Sequence, residues 1–188
     1  KREGGCGLVV TEMVSSEGLV RGIDRTLEYA EYTEEERPVS IQIFGGDPEK
    51  MAAAAQIVEG MGADIVDVNM GCPVPKISKH NAGCSLMREP AHAASVVRSI
   101  ARAVKIPVIC TGGFQSAPVI RQAIRDGACD AVSIARGLVA NNNLVELFRL
   151  GYERAPLPCS HCNRCMVHTL KDPLGCYDVR RFNGSRSA

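Results

Sequence analysis

No stretch of this 188-residue chain approaches the roughly 20 consecutive apolar residues that cross a bilayer. The opening Lys1-Arg-Glu-Gly-Gly-Cys6 also lacks the long apolar core of a secretory signal. No membrane partner is therefore expected; the chain is expected to be cytoplasmic, and the missing initiator methionine suggests a trimmed N-terminus. An excess of either charge is missing too, since 22 Lys and Arg against 21 Asp and Glu leave a formal +1. Nothing in that balance demands a polyanionic partner. Any nucleic acid must be held by local patches, because phosphate contacts supply most of such affinity. A disulfide framework is not indicated either. The nine cysteines are an odd number, scattered through strand-like segments and then crowded at the end, which suits reduced thiols and a cluster better.

What is present is an apolar content of 45%, enough for a compact core, and a regular alternation of strand-like with helix-like segments. That alternation predicts a parallel sheet with helical crossovers. Strands are expected at 7–14, 38–44, 64–68, 106–111 and 130–135. The first helix is expected over about 17–32, from apolar residues at helical spacing. Asp47 and Pro48 should open the next helix as N-cap and first residue, with Gly62 ending it. Further helices are expected from about 89 to 104 and from 116 to 125, with a polar loop over 73–84. The fold class predicted is α/β, a parallel β/α arrangement of TIM-barrel type with about five β/α units and a Cys-rich C-terminal tail. Residues 1–152 would form the partial barrel and 153–188 the tail. A closed barrel needs about eight strands and ~250 residues, so the sheet stays open, closes with another chain, or belongs to a fragment or hybrid. Open sheet edges of this kind invite a second copy of the chain.

The run Ala63-Asp-Ile-Val-Asp-Val-Asn-Met-Gly-Cys-Pro-Val-Pro-Lys76 carries the most chemistry. An apolar strand ends there in a turn bearing an amide, a thiol and an ammonium, and α/β folds bind ligands at the carboxyl ends of their strands. Asn69, Cys72 and Lys76 are thus candidate site residues. Gln42 ends the preceding strand with a second carboxamide, and such groups either serve a heterocycle edge or satisfy backbone groups in nearby loops. Cys72 is either a small buried hydrophobe or a functional thiol. Lys76, Lys79 and His80 make the following loop basic, which suits either solvent or phosphate contacts. The loops Thr111-Gly-Gly-Phe114 and Ile134-Ala-Arg-Gly137 follow the last two strands, where β/α barrels hold phosphate on glycine N–H groups, a helix start and an arginine. Gly112, Gly113, Ala135 and Arg136 are the candidates. Cys159, Cys162, Cys165 and Cys176 are spaced Cys-x2-Cys-x2-Cys-x10-Cys, a pattern that can hold an iron–sulfur cluster or zinc.

Over residues 5–108, the Asn69-Met-Gly-Cys-Pro73 turn with Lys76 and Asn81-Ala-Gly-Cys-Ser-Leu-Met87 resembles the tRNA-dihydrouridine synthases. The resemblance implies FMN as cofactor, NADPH as reductant and a tRNA uridine as substrate. It also implies that Cys72 is the proton donor, that Gln42 and Asn69 face FMN and the uracil, and that the two glycine loops grip the FMN phosphate. Hydride delivered to carbon 6 of the uracil must be matched by a proton at carbon 5 from the opposite face, a task that suits a thiol, protonated at neutral pH. Residues 107–182, including Asp130-Ala-Val-Ser-Ile-Ala-Arg136 and the cysteine tail, resemble the NADH:flavin oxidoreductases of the old yellow enzyme class. That likeness implies an enone or dienoyl reductase as the alternative activity, although no paired His or His/Asn is visible. Synthases also carry Lys-x-Arg and His-x-Arg segments, an Ala-Pro-Met first strand and a helical tRNA-binding domain, none of which is seen here. A non-catalytic barrel fragment that oligomerises is the third reading.

Overall fold

The computed structural model describes residues 3–183. They fall into two compact units: one runs to Gly113 and adds Ala123–Ser133, and the other holds Phe114–Gln122 and the described residues from Ile134 onward.

The first unit is built on a parallel sheet of β1 (Val9–Val10), β2 (Val14–Ser15), β3 (Val39–Phe44), β4 (Ile65–Asn69), β5 (Val108–Thr111) and β6 (Ala131–Ser133). The spatial order is β1-β3-β4-β5-β6, with β2 also on β3, and every pairing is parallel. Val39, Ile41, Ile43, Val66 and Val68 have no exposed surface. A parallel sheet is covered on both faces, so its central strands read as nearly continuous apolar runs. The expected strand over 7–14 is two short pieces along β3, so five strand positions remain.

The helices are α1 (Ser16–Val20), α2 (Asp24–Glu28), α3 (Pro48–Gly60), α4 (Pro75–Ser78), α5 (Pro90–Ala103), α6 (Ala117–Arg125), α7 (Arg136–Ala140), α8 (Leu144–Arg149), α9 (Arg164–His168) and α10 (Arg180–Asn183). Within the first unit α3 lies against α1 and α5. The single helix expected over 17–32 is instead α1 and α2. Gly22 between them takes φ +63°, a left-handed conformation that ends a helix, and α2 folds back so closely that a Cβ on Gly18 would lie 2.5 Å from Thr26 Oγ1. Apolar periodicity was continuous through this segment, but the turn chemistry of one glycine overrode it. The polar loop expected over 73–84 likewise contains α4 and then a 3-10 turn, Gly83–Arg88.

α3 follows its sequence signals closely. Asp47 accepts hydrogen bonds from the N–H groups of Glu49 and Lys50, Pro48 takes the first position, and Gly62 lies beyond the end at φ +89°. Asp47→Ala should therefore cost about 1 kcal/mol. The melting midpoint, followed by circular dichroism, should fall by roughly 2–4 °C; an unshifted midpoint would show that the cap does not stabilise α3.

In the second unit two charged side chains, Arg181 and Asp178, are buried. Arg181 is 8% exposed and donates to the carbonyls of Ala140 and Leu157, to Asn141 Oδ1 and to Cys176 Sγ. Asp178, 1% exposed, accepts from Arg180 and Ser160. These two partners hold its carboxyl well below the usual carboxylate range. Among the described residues no helix is long and apolar enough to cross a membrane.

Candidate active site

Gln42, expected to end its strand, lies two residues before the end of β3, and register brings it together with polar residues of β4 and β5. Parallel pairing sets Gln42 of β3 opposite Asp67 of β4, and Asn69 of β4 opposite Thr111 of β5. Residues 67 and 69 share one face of β4, because side chains alternate along a strand. Gln42 Nε2 donates to Asp67 Oδ2 at 2.5 Å, Asn69 Nδ2 donates to Gln42 Oε1 at 2.7 Å, and Thr111 Oγ1 donates to Asp67 Oδ1 at 2.7 Å. The second Asn69 hydrogen reaches only Met13 Sδ, at 3.6 Å. Asp67 is 3% exposed, and burial raises its carboxyl above the ordinary aspartate value, opposed by the hydrogen bonds from Thr111 and Gln42. Asp67 and Thr111 did not figure among the expected site residues. The legible signal was a carboxylate inside an apolar strand two positions before Asn69.

Asn69 Oδ1 accepts the N–H groups of Gly71 at 3.1 Å and Cys72 at 3.0 Å. One of the two roles considered for this amide, satisfying nearby backbone, is therefore present, and it is what shapes the cysteine turn. The chain then returns to the same place, for Cys84 N–H donates to Cys72 O at 2.9 Å. Gly83, at φ +59°, permits this return, because a Cβ there would lie 2.7 Å from Cys72 O. Cys72 itself is partly exposed, whereas Cys110 and Cys129 are 2% and 4% exposed core residues. The hydrogen bond with Cys129, together with burial, pushes the Cys110 thiol up. Of these three cysteines, Cys72 alone is not buried. Lys76 lies exposed on α4.

On the other side of the turn Met70 N–H donates to Thr111 O at 2.7 Å, and Gly112 packs backbone against backbone on Met70 and Gly71. Gly113 follows at φ +71° with Met87 Cε beside it. Gly112 and Gly113 belong to the first unit, Ala135 and Arg136 to the second. Ala135 caps α7 and Arg136 begins it, with the Arg136 guanidinium donating to Asn163 Oδ1.

The four tail cysteines do not assemble into a ligand set. Among the described residues no three of His, Cys, Asp and Glu come together to hold a metal ion. Cys176 Sγ accepts from Arg181 Nη1 at 2.9 Å, and Cys159 Sγ accepts from the His161 N–H at 3.4 Å. The iron–sulfur or zinc expectation for Cys159, Cys162, Cys165 and Cys176 thus does not fit this arrangement, because Arg181 draws one of the four sulfurs into a different contact.

In this parallel β/α sheet of TIM-barrel type, Asn69 stands at the carboxyl end of β4, Cys72 in the turn after it and Gln42 beside it on β3, in the region where α/β folds bind ligands. The sequence profile of the dihydrouridine synthases matches residues 1–111, and the chain belongs to that family. It is 41% identical over 104 residues to tRNA-dihydrouridine synthase B of Shewanella oneidensis, covering 55% of this chain and 32% of that protein. It is 45% identical over 103 residues to probable tRNA-dihydrouridine synthase 1 of Synechocystis sp., covering 54% and 28%. The chain thus spans about a third of the length of the curated relatives it matches. Among solved structures, 6-hydroxypseudooxynicotine amine oxidase from Pseudomonas geniculata N1 superposes with TM-score 0.52 at 18% identity, covering 80% of this chain and 23% of that one. A likeness at that identity concerns the fold alone.

Proposed function

We propose that this chain is the flavin-binding and proton-donating part of a tRNA-dihydrouridine synthase. The single observation that supports this best is the Cys72 turn, where a partly exposed cysteine is held through its backbone by Asn69 and Cys84, and Asn69 in turn donates to the Gln42 amide. The donor set suits a flavin, because among the described residues Gln42 spends one amide hydrogen on Asp67 and one carbonyl lone pair on Asn69, and the second of each would complement a ring edge carrying N–H and C=O. Gln42 and Asn69 would hold the isoalloxazine and the base. Gly112 and Gly113 would offer backbone N–H groups to the FMN phosphate. FMN, once reduced by NADPH, would supply the hydride for carbon 6 of the uracil. Cys72 Sγ gives its proton to carbon 5 from the opposite face, and the thiolate left behind is reprotonated from water, so that one C=C bond becomes one C–C bond with two new C–H bonds.

Lys76, exposed one turn beyond the thiol, would contact a tRNA phosphate. The setting would be cytoplasmic, residues 1–152 would carry the flavin, and 153–188 would form the cysteine-rich tail. A second copy of the chain would cover the open sheet edges. The test is to add FMN to the purified chain and follow flavin fluorescence, then NADPH oxidation with unmodified tRNA or with an enone. Quenching with tRNA-dependent oxidation is the expected result. Enone-dependent oxidation would move the chain to the old yellow enzyme reading, and absence of quenching would leave the non-catalytic one.

A further inference from the structure

The direction of the hydrogen bonds at the strand ends is dictated by the backbone. The N–H groups of Gly71 and Cys72 can only donate, so the Asn69 atom facing them must be its oxygen and Nδ2 must face Gln42. Gln42 then has to present Oε1 to Asn69, which turns Nε2 toward Asp67. Thr111 Oγ1 reaches the other carboxyl oxygen. The line from Asn69 through Gln42 and the separate bond from Thr111 converge, from β3 and from β5, on a buried carboxyl that accepts on both oxygens. Aligned hydrogen bonds of this kind polarise one another.

We propose that Asp67 is a positioning residue: by accepting from Gln42 and Thr111 it sets which way both carboxamides face, keeps Gln42's unspent N–H and lone pair for a heterocycle edge, and through Asn69 holds the Cys72 turn. The ligand-facing half of this proposal rests on the function proposed above; the orienting half does not. Were Asp67 absent, the Gln42 amide could rotate, Asn69 Nδ2 would lose its directed acceptor, and Asn69 Oδ1 would be free to leave the Gly71 and Cys72 amides. Asn at position 67 would preserve the line, since its oxygen can accept from Gln42 while its nitrogen donates to the Thr111 hydroxyl. A buried carboxyl needs partners for its oxygens, and Gln42 and Thr111 supply one to each.

The experiment compares wild type, Asp67→Asn and Asp67→Leu by backbone amide exchange, without flavin, and then by FMN titration. In Asp67→Leu the Gly71 and Cys72 amides should exchange roughly fivefold faster, the factor expected for one lost hydrogen bond. Exchange within α5 should stay at its wild-type rate, and FMN should bind several-fold more weakly. Asp67→Asn should match wild type in both measurements. Unchanged exchange at Gly71 and Cys72 in Asp67→Leu would overturn the proposal, as would equal acceleration in α5 or an Asp67→Asn that behaves like Asp67→Leu. If Asp67→Leu does not fold, Thr111→Val removes the other donor and should shift the same two amides in the same direction; no shift there overturns the proposal. A wild-type chain that ignores FMN would instead defeat the flavin reading and leave the exchange result standing, so the two failures are told apart.

Discussion

Replacing Cys72 with alanine is expected to leave FMN affinity at the wild-type value while lowering dihydrouridine formation by about 10²–10⁴-fold, the usual contribution of a positioned general acid. The turn does not depend on the sulfur. Cys72 is held by its own backbone, its N–H donating to Asn69 Oδ1 and its carbonyl accepting from Cys84 N–H. Alanine keeps both bonds, and the change at this half-buried position is confined to the loss of Sγ–H. On the proposed reading, the site left behind would still bind flavin and base but would have no proton to place at carbon 5. Single-turnover assays on prereduced flavoprotein and unmodified tRNA, with the product read by mass spectrometry, separate the two quantities. Wild-type product yield from Cys72→Ala would mean that another group protonates the ring; a parallel loss of FMN binding would mean that the thiol is structural.

The largest effect on stability is expected from Gly112→Ala. Gly112 takes φ +149°, a region that L side chains rarely enter, and a Cβ there would lie 2.5 Å from both the carbonyl carbon and oxygen of Met70 and 2.9 Å from Gly71 N. All three are backbone atoms, so relief requires the 69–72 turn to move away from β5, against the Met70 N–H to Thr111 O bond. Dihedral strain alone is worth about 1–3 kcal/mol. With the clash added, a total of about 3 kcal/mol corresponds to a midpoint lowered by roughly 6–12 °C. Gly113→Ala should be milder. Its φ of +71° carries a left-handed penalty of about 1–2 kcal/mol, but the nearest atom is Met87 Cε, the free end of a flexible side chain. Thermal melts of the two variants side by side provide the check, and equal midpoints would show that the backbones at residues 70 and 112 are not in close contact.

Much of the first unit was legible before folding. Asp47, Pro48 and Gly62 mark α3 by cap chemistry that depends on neighbouring residues only. Strands β3 to β6 announce themselves as short apolar runs punctuated by glycine and proline. Residues 17–32 were misread as one helix because a periodic pattern does not report that Gly22 adopts a left-handed φ, nor that Thr26 folds onto Gly18. The tail was misread for a related reason. Cysteine spacing permits a ligand set, but whether the sulfurs meet depends on neighbours such as Arg181, which engages Cys176.

Local order along the chain determined most element types, the strand-end placement of Asn69 with Cys72 in the turn after it, and through the Asn69–Pro73 and Asn81–Met87 motifs the family. Tertiary structure alone decided that Asp67 lies among these residues, that Asn69 spends its oxygen on the Cys72 turn, and that Gly112 must approach Met70 without a side chain. The physical reason is register. Gln42 is 25 positions from Asp67, and Asp67 is 44 from Thr111. Only the parallel alignment of β3, β4 and β5 makes hydrogen-bond partners of residues so far apart, and no local pattern encodes that alignment.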